Sequence, residues 1–108
     1  MSPMNGPLAL DADAVTDALR DVIDPELGYN IVDLGLIYAL AVEAGVVTLT
    51  MTMTTPGCPA QDYLVAGVED RVRQLPGVAD LKLDVVWEPP WTPQRMSSLA
   101  KAQLGIPD

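Results

Sequence analysis

The pattern of apolar residues predicts an α/β (α+β) fold, a two-layer sandwich with helices over one face of a small three-stranded sheet. Three observations predict it. Two stretches carry apolar residues at helical spacing, Val47 to Thr54 alternates strictly between apolar residues and threonine, and Pro/Gly pairs separate the stretches. The expected order is α-β-β-α-β, followed by a proline-rich tail that ends in a short helix. With 108 residues, 49% of them apolar, the chain makes one domain with a real core.

Residues 1–10 hold two prolines and a glycine without periodicity and read as a flexible leader, leaving 11–108 as a single domain. Asp11 or Asp13 caps a first helix, with Val15, Leu19, Val22 and Ile23 as its apolar stripe. Pro25 is expected to end it, because a residue before proline avoids the α region. A first strand spans about Leu36 to Ala44, and Gly45 marks a tight turn. In the second strand Val47, Leu49, Met51 and Met53 face the core, while Thr48, Thr50, Thr52 and Thr54 face outward.

Pro59 suits the first turn of a second helix, with Leu64, Val68, Val72 and Leu75 buried and Pro76-Gly77 as the stop. A third strand is expected from Ala79 to Trp87, with Leu81, Leu83, Val85 and Trp87 on one face. The tail Glu88-Pro89-Pro90-Trp91-Thr92-Pro93 runs extended, its tryptophans and prolines covering an open edge of the core. A short helix from Met96 to Gln103 closes the chain. The threonine face has no layer of its own, which leaves a surface for a homodimer or a partner.

Composition excludes several function classes. Fifteen acidic against six basic residues give a charge of −9, which repels phosphate backbones and anionic membrane surfaces. Neither a membrane-spanning run nor a signal pattern is present, so the chain reads as cytoplasmic. Histidine is absent, which removes His-based dyads and imidazole metal sites. The single cysteine, Cys58, rules out an intrachain disulfide and a four-thiolate cluster within one chain.

Cys58 follows a strand and precedes a predicted helix N-terminus, where unpaired N–H groups draw a thiol pKa down. Asp62, one turn along, opposes that effect. The plainer reading is a small buried hydrophobe, which a loop between Gly57 and Pro59 suits poorly. Asp24-Pro25-Glu26-Leu27-Gly28 offers two carboxylates held by a proline, either as hard ligands or as a base near the thiol. Its plain alternative is a solvated helix stop. Thr54 belongs with the outward threonines, and Thr55 could cap the following helix. Arg95 could pair with Asp24 or Glu26, or stand in solvent.

Four blocks stand in order: Asp-Pro-Glu-Leu-Gly at 24–28, Ile-Val-Asp-Leu-Gly-Leu-Ile-Tyr at 31–38, Met-Thr-Thr-Pro-Gly-Cys-Pro at 53–59 and Pro-Pro-Trp-Thr-Pro-Gln-Arg-Met-Ser at 89–97. Together they resemble the metal–sulfur cluster assembly factor family over residues 13–104. That family includes the bacterial SufT and PaaD-like proteins and the cytosolic iron–sulfur targeting factors of eukaryotes. The resemblance implies an iron–sulfur maturation role without a turnover reaction, aiding cluster transfer to recipient proteins or targeting of them.

The motif cysteine falls on Cys58 and the acidic pair on Asp24 and Glu26, with Leu27 beside them. The motif threonines fall on Thr54 and Thr55, while Gly57 and Arg95 lie within the matched blocks. Implied partners are the iron–sulfur assembly machinery and recipient apo-proteins. With one thiolate per chain, no stably bound cofactor is expected. A transient iron–sulfur cluster would be shared by Cys58 with a second chain or a partner.

PaaD-like members that serve aromatic ring oxygenation carry extra cysteines after this domain, and none follows here, which counts against the PaaD reading. Some relatives fuse the domain to a P-loop ATPase, whose motif is also lacking. Two other classes compete with the maturation role. One is a cysteine-independent adaptor subunit, PaaD-like, within a multiprotein complex. The other is a thiol peroxidase, because Thr55-Pro56-Gly57-Cys58 matches a peroxidatic Thr-x-x-Cys arrangement. It would need Arg95 to activate the thiol, and no resolving cysteine exists.

Overall fold

The computed structural model describes residues 10–55 and 60–107. Helix α1 (Ala12–Leu19) begins where Asp11 accepts a side-chain hydrogen bond from the Ala14 N–H at 2.8 Å. It buries Val15, Ala18 and Leu19 and stops earlier than Pro25 would require. The helix ends because Val22 turns away from it. Val22 is buried, and its carbonyl accepts the Ile31 N–H at 3.0 Å. Ile23 therefore leaves the expected helical stripe and stands exposed.

A small hairpin follows instead, with β1 (Ile23–Asp24) antiparallel to β2 (Tyr29–Asn30). The turn after it is tied by Asn30, whose side chain both donates to Asp33 Oδ2 at 2.8 Å and accepts from the Asp33 N–H at 2.9 Å. That turn delivers Ile31, Leu34 and Leu36 into the core.

The main sheet has the order β3-β4-β5, from β3 (Ile37–Glu43), β4 (Val46–Met51) and β5 (Asp80–Val85). β3 and β4 are antiparallel and joined at Ala44-Gly45, both with positive φ, as a two-residue hairpin turn demands. β4 and β5 are parallel, so a crossover must link them, and α2 (Gln61–Arg73) supplies it. In α2 the predicted Leu64, Val68 and Val72 are buried. α1 packs against α2 and β3, and α2 against β5, so the helices share one face of the sheet. Val47, Leu49, Met51 and Leu81 meet them there. The two-layer sandwich and the order α-β-β-α-β stand, with the small hairpin added.

β5 is shorter than expected at its end. Trp87 lies beyond it and is 38% exposed, so it is not part of the buried face. The tail crosses back as a strap and includes one 3₁₀ turn at Pro93–Arg95. Trp91 anchors it by donating its indole N–H to the Leu34 carbonyl at 2.7 Å, and the Ser97 N–H donates to the Asp33 carbonyl at 2.7 Å. Gly35, at φ +80°, lies under the strap, and a Cβ there would collide with the Arg95 carbonyl. Helix α3 (Ser98–Leu104) is capped by Ser97 and ends at Gly105 in the left-handed region.

Candidate functional site

Asp24 is 1% exposed, contrary to a solvated helix stop. Its Oδ1 accepts the N–H groups of Glu26 and Leu27 at 2.7 and 3.3 Å, and its carbonyl accepts the Gly28 N–H at 2.7 Å. An aspartate that folds its side chain onto the following amides makes an Asx turn. Gly28 closes it at φ +70°, a conformation a Cβ would oppose. The two carboxylates therefore differ in kind. Asp24 shapes the loop, while Glu26 is exposed on it.

Glu26 Oε1 accepts a hydrogen bond from the Thr54 hydroxyl at 3.3 Å. This contact joins the acidic hairpin to the chain that leaves β4, twenty-eight residues away in sequence. Leu27 is half-buried against the core and holds the hairpin down. Of the sequence-derived site residues, Asp24, Glu26, Leu27 and Thr54 thus come together. Gly57 and Cys58 lie outside the described residues, as does Pro59, and the expectations placed on them rest on the sequence.

The chain between β4 and Thr54 departs from the strict alternation. Met51, Thr52 and Met53 are buried in succession. The cause is that this segment is flanked on both sides. The Thr52 N–H donates to the Leu36 carbonyl at 2.9 Å, and the Met51 carbonyl accepts the Val86 N–H at 2.8 Å, where the strap begins. Thr52 was expected to face outward and is 1% exposed, with its Oγ1 lacking a hydrogen-bond partner among the described residues. Thr48 and Thr50, farther from the strap, keep the open face.

Thr55 is exposed and does not cap α2, whose N-cap is Ala60 without a side-chain hydrogen bond. Arg95 pairs with neither Asp24 nor Glu26. Its guanidinium carbon lies 4.8 Å from the centroid of the Tyr38 ring, and Tyr38 donates its hydroxyl to the Pro89 carbonyl at 2.8 Å. A register shift between Ile37 and Ala39 in β3 is what re-aims Tyr38 toward the strap. Arg95 is therefore a clamp on the tail. The sequence reading missed Tyr38 and Thr52. No local signal marks a bulge in an aliphatic run, and the Asx turn at Asp24 was likewise not foreseen, since the segment reads as a helix stop or a carboxylate pair held by Pro25.

Among the described residues no three carboxylates or thiols converge as a metal site, and no helix is long and apolar enough to cross a membrane. The model of the family described as "Iron-sulfur cluster assembly protein" matches residues 12–84, from α1 into β5. The chain belongs to that family. It is 45% identical over 93 residues to the "Fe-S protein maturation auxiliary factor YitW" of Bacillus subtilis, covering 85% of this chain and 91% of the relative. It is 44% identical over 86 residues to the "Fe-S protein maturation auxiliary factor SufT" of Staphylococcus aureus, covering 79% and 98%. A solved domain of unknown function from Bacillus anthracis superposes with a TM-score of 0.83 at 41% identity, covering 88% of this chain and 92% of that one. Family, fold class and element order thus agree.

Proposed function

We propose that this chain is an auxiliary factor in iron–sulfur protein maturation, acting on cluster cargo through Cys58 and Glu26 rather than turning over a substrate. Family membership over most of the domain and the maturation names of its relatives support the role. The observation that carries the site is the Thr54–Glu26 hydrogen bond, which sets a carboxylate against the chain that enters the Cys58 segment. The donor chemistry fits a transient load. A thiolate is a soft ligand for iron and a carboxylate a hard one, and one thiol per chain leaves most of a cluster's iron sites to other donors. Those donors come from a second chain, a carrier or the recipient protein, so handover needs no stable holding. The partners are the assembly machinery and recipient apo-proteins, and the compartment is the cytoplasm.

The test is complementation in a bacterium lacking its own relative, reading the activity and iron content of an iron–sulfur enzyme that fails to mature there. The wild-type chain restores both. Cys58→Ser is expected to lose restoration, and Glu26→Gln to lower it severalfold while the protein stays folded. Full restoration by Cys58→Ser would favour the cysteine-independent adaptor instead.

A further inference from the structure

Beside the Thr54–Glu26 contact the strap encloses a cleft of about 70 Å³, lined among the described residues by Thr52, Met53, Thr54, Trp87, Pro90 and Trp91. Three features make it more than a packing gap. First, Thr52 lines it, and the buried Thr52 Oγ1 is unpartnered among the described residues. A buried hydroxyl without a partner is costly, and native structures rarely keep one without reason. Second, two indoles contribute to its walls, and the Trp91 N–H is already committed to the Leu34 carbonyl. The negative π faces remain to offer, and those attract cations. Third, the lining residues have acidic neighbours. The Thr54 hydroxyl donates to Glu26, Glu88 follows Trp87 in the chain, and no lysine or arginine among the described residues lines the cleft.

We propose that this cleft receives the charged end of a lysine or arginine side chain from a partner protein. The entering N–H group donates to Thr52 Oγ1, the indoles flank the cation, and Glu26 and Glu88 supply the opposing charge. Neither a neutral apolar group nor water uses all three features. The small volume suits a side-chain end rather than a larger ligand. The donor's backbone then stays outside, against the exposed Trp87 and Pro90. The chain's net charge of −9 favours the approach of basic partners generally. This assignment rests on the cleft's own geometry and stands whether or not Cys58 handles a cluster.

The test uses the two indole N–H resonances in a titration of the ¹⁵N-labelled full chain with N-acetyl-lysinamide, N-acetyl-argininamide and the neutral N-acetyl-norleucinamide. At least one basic probe should shift the Trp87 resonance saturably, bind at least about fivefold tighter than the norleucine probe, and weaken as salt is raised. Thr52→Val should cut affinity for that probe severalfold, and Thr52→Ser should restore it, with the spectrum's dispersion confirming that both variants fold. Equal binding of the norleucine probe, no saturable shift with either basic probe, or an unchanged affinity in Thr52→Val would each overturn the assignment.

Discussion

Asp24 and Glu26 sit two residues apart and do opposite work. Asp24 is buried and spends its oxygen on two backbone N–H groups. Its replacement by alanine leaves those donors without their acceptor. Asp24→Ala is expected to lower stability by about 1–3 kcal/mol, and Asp24→Asn by less because an acceptor oxygen remains, as urea denaturation will measure. Thr52 is the converse case. Its buried hydroxyl has no partner among the described residues, so Thr52→Val keeps the shape and removes the orphaned group. That variant should gain about 1 kcal/mol of stability, read from the shift in the urea midpoint. A loss of similar size would mean that the hydroxyl is satisfied after all.

At the scale of elements, the hairpin and the strap place the site. The hairpin was not legible in the sequence, because strands of two residues are too short to show a period. Pro25 looked like a helix stop, yet the burial of Val22 and its pairing with Ile31 ended α1 sooner. Tertiary contacts outside the local pattern decided both. β4 was legible for the opposite reason, since one face packs on the helices for its whole length. The alternation failed only after Met51, where the strap covers what would have been the outer face.

The strap itself depends on Gly35, whose positive φ and missing Cβ let the Arg95 carbonyl approach. Gly35→Ala is expected to cost about 2 kcal/mol or more, from left-handed backbone strain and the collision together. Trp91 reports on the same event. Its near-ultraviolet circular dichroism should fall as the strap lifts and its indole bond to Leu34 is lost. A variant with unchanged stability and an unchanged Trp91 signal would mean that the strap is held elsewhere.

For the whole molecule, the fold places one acidic hairpin, one strand end and one strap side by side. The four sequence blocks are separate in the chain, and the fold brings three of them together. Residues 24–28 form the hairpin turn, residues 53–55 leave β4 beside it, and residues 89–97 form the strap against both Leu34 and Tyr38. The block at 31–38 supplies the core residues on which the others rest. Periodicity could locate the layers of the sandwich, but the convergence of the blocks depends on contacts between residues remote in sequence, which no local pattern encodes.

The measurement that bears most directly on the central claim is anaerobic reconstitution of the wild type and Cys58→Ala with iron and sulfide, with the visible spectrum and native mass read together. The account predicts a cluster that is weakly held, appears only with Cys58 present, and resides on a species containing two chains, one thiolate from each. No cluster on either protein would contradict carriage between two copies of this chain, and the same cluster on both would contradict a cysteine that handles cluster cargo.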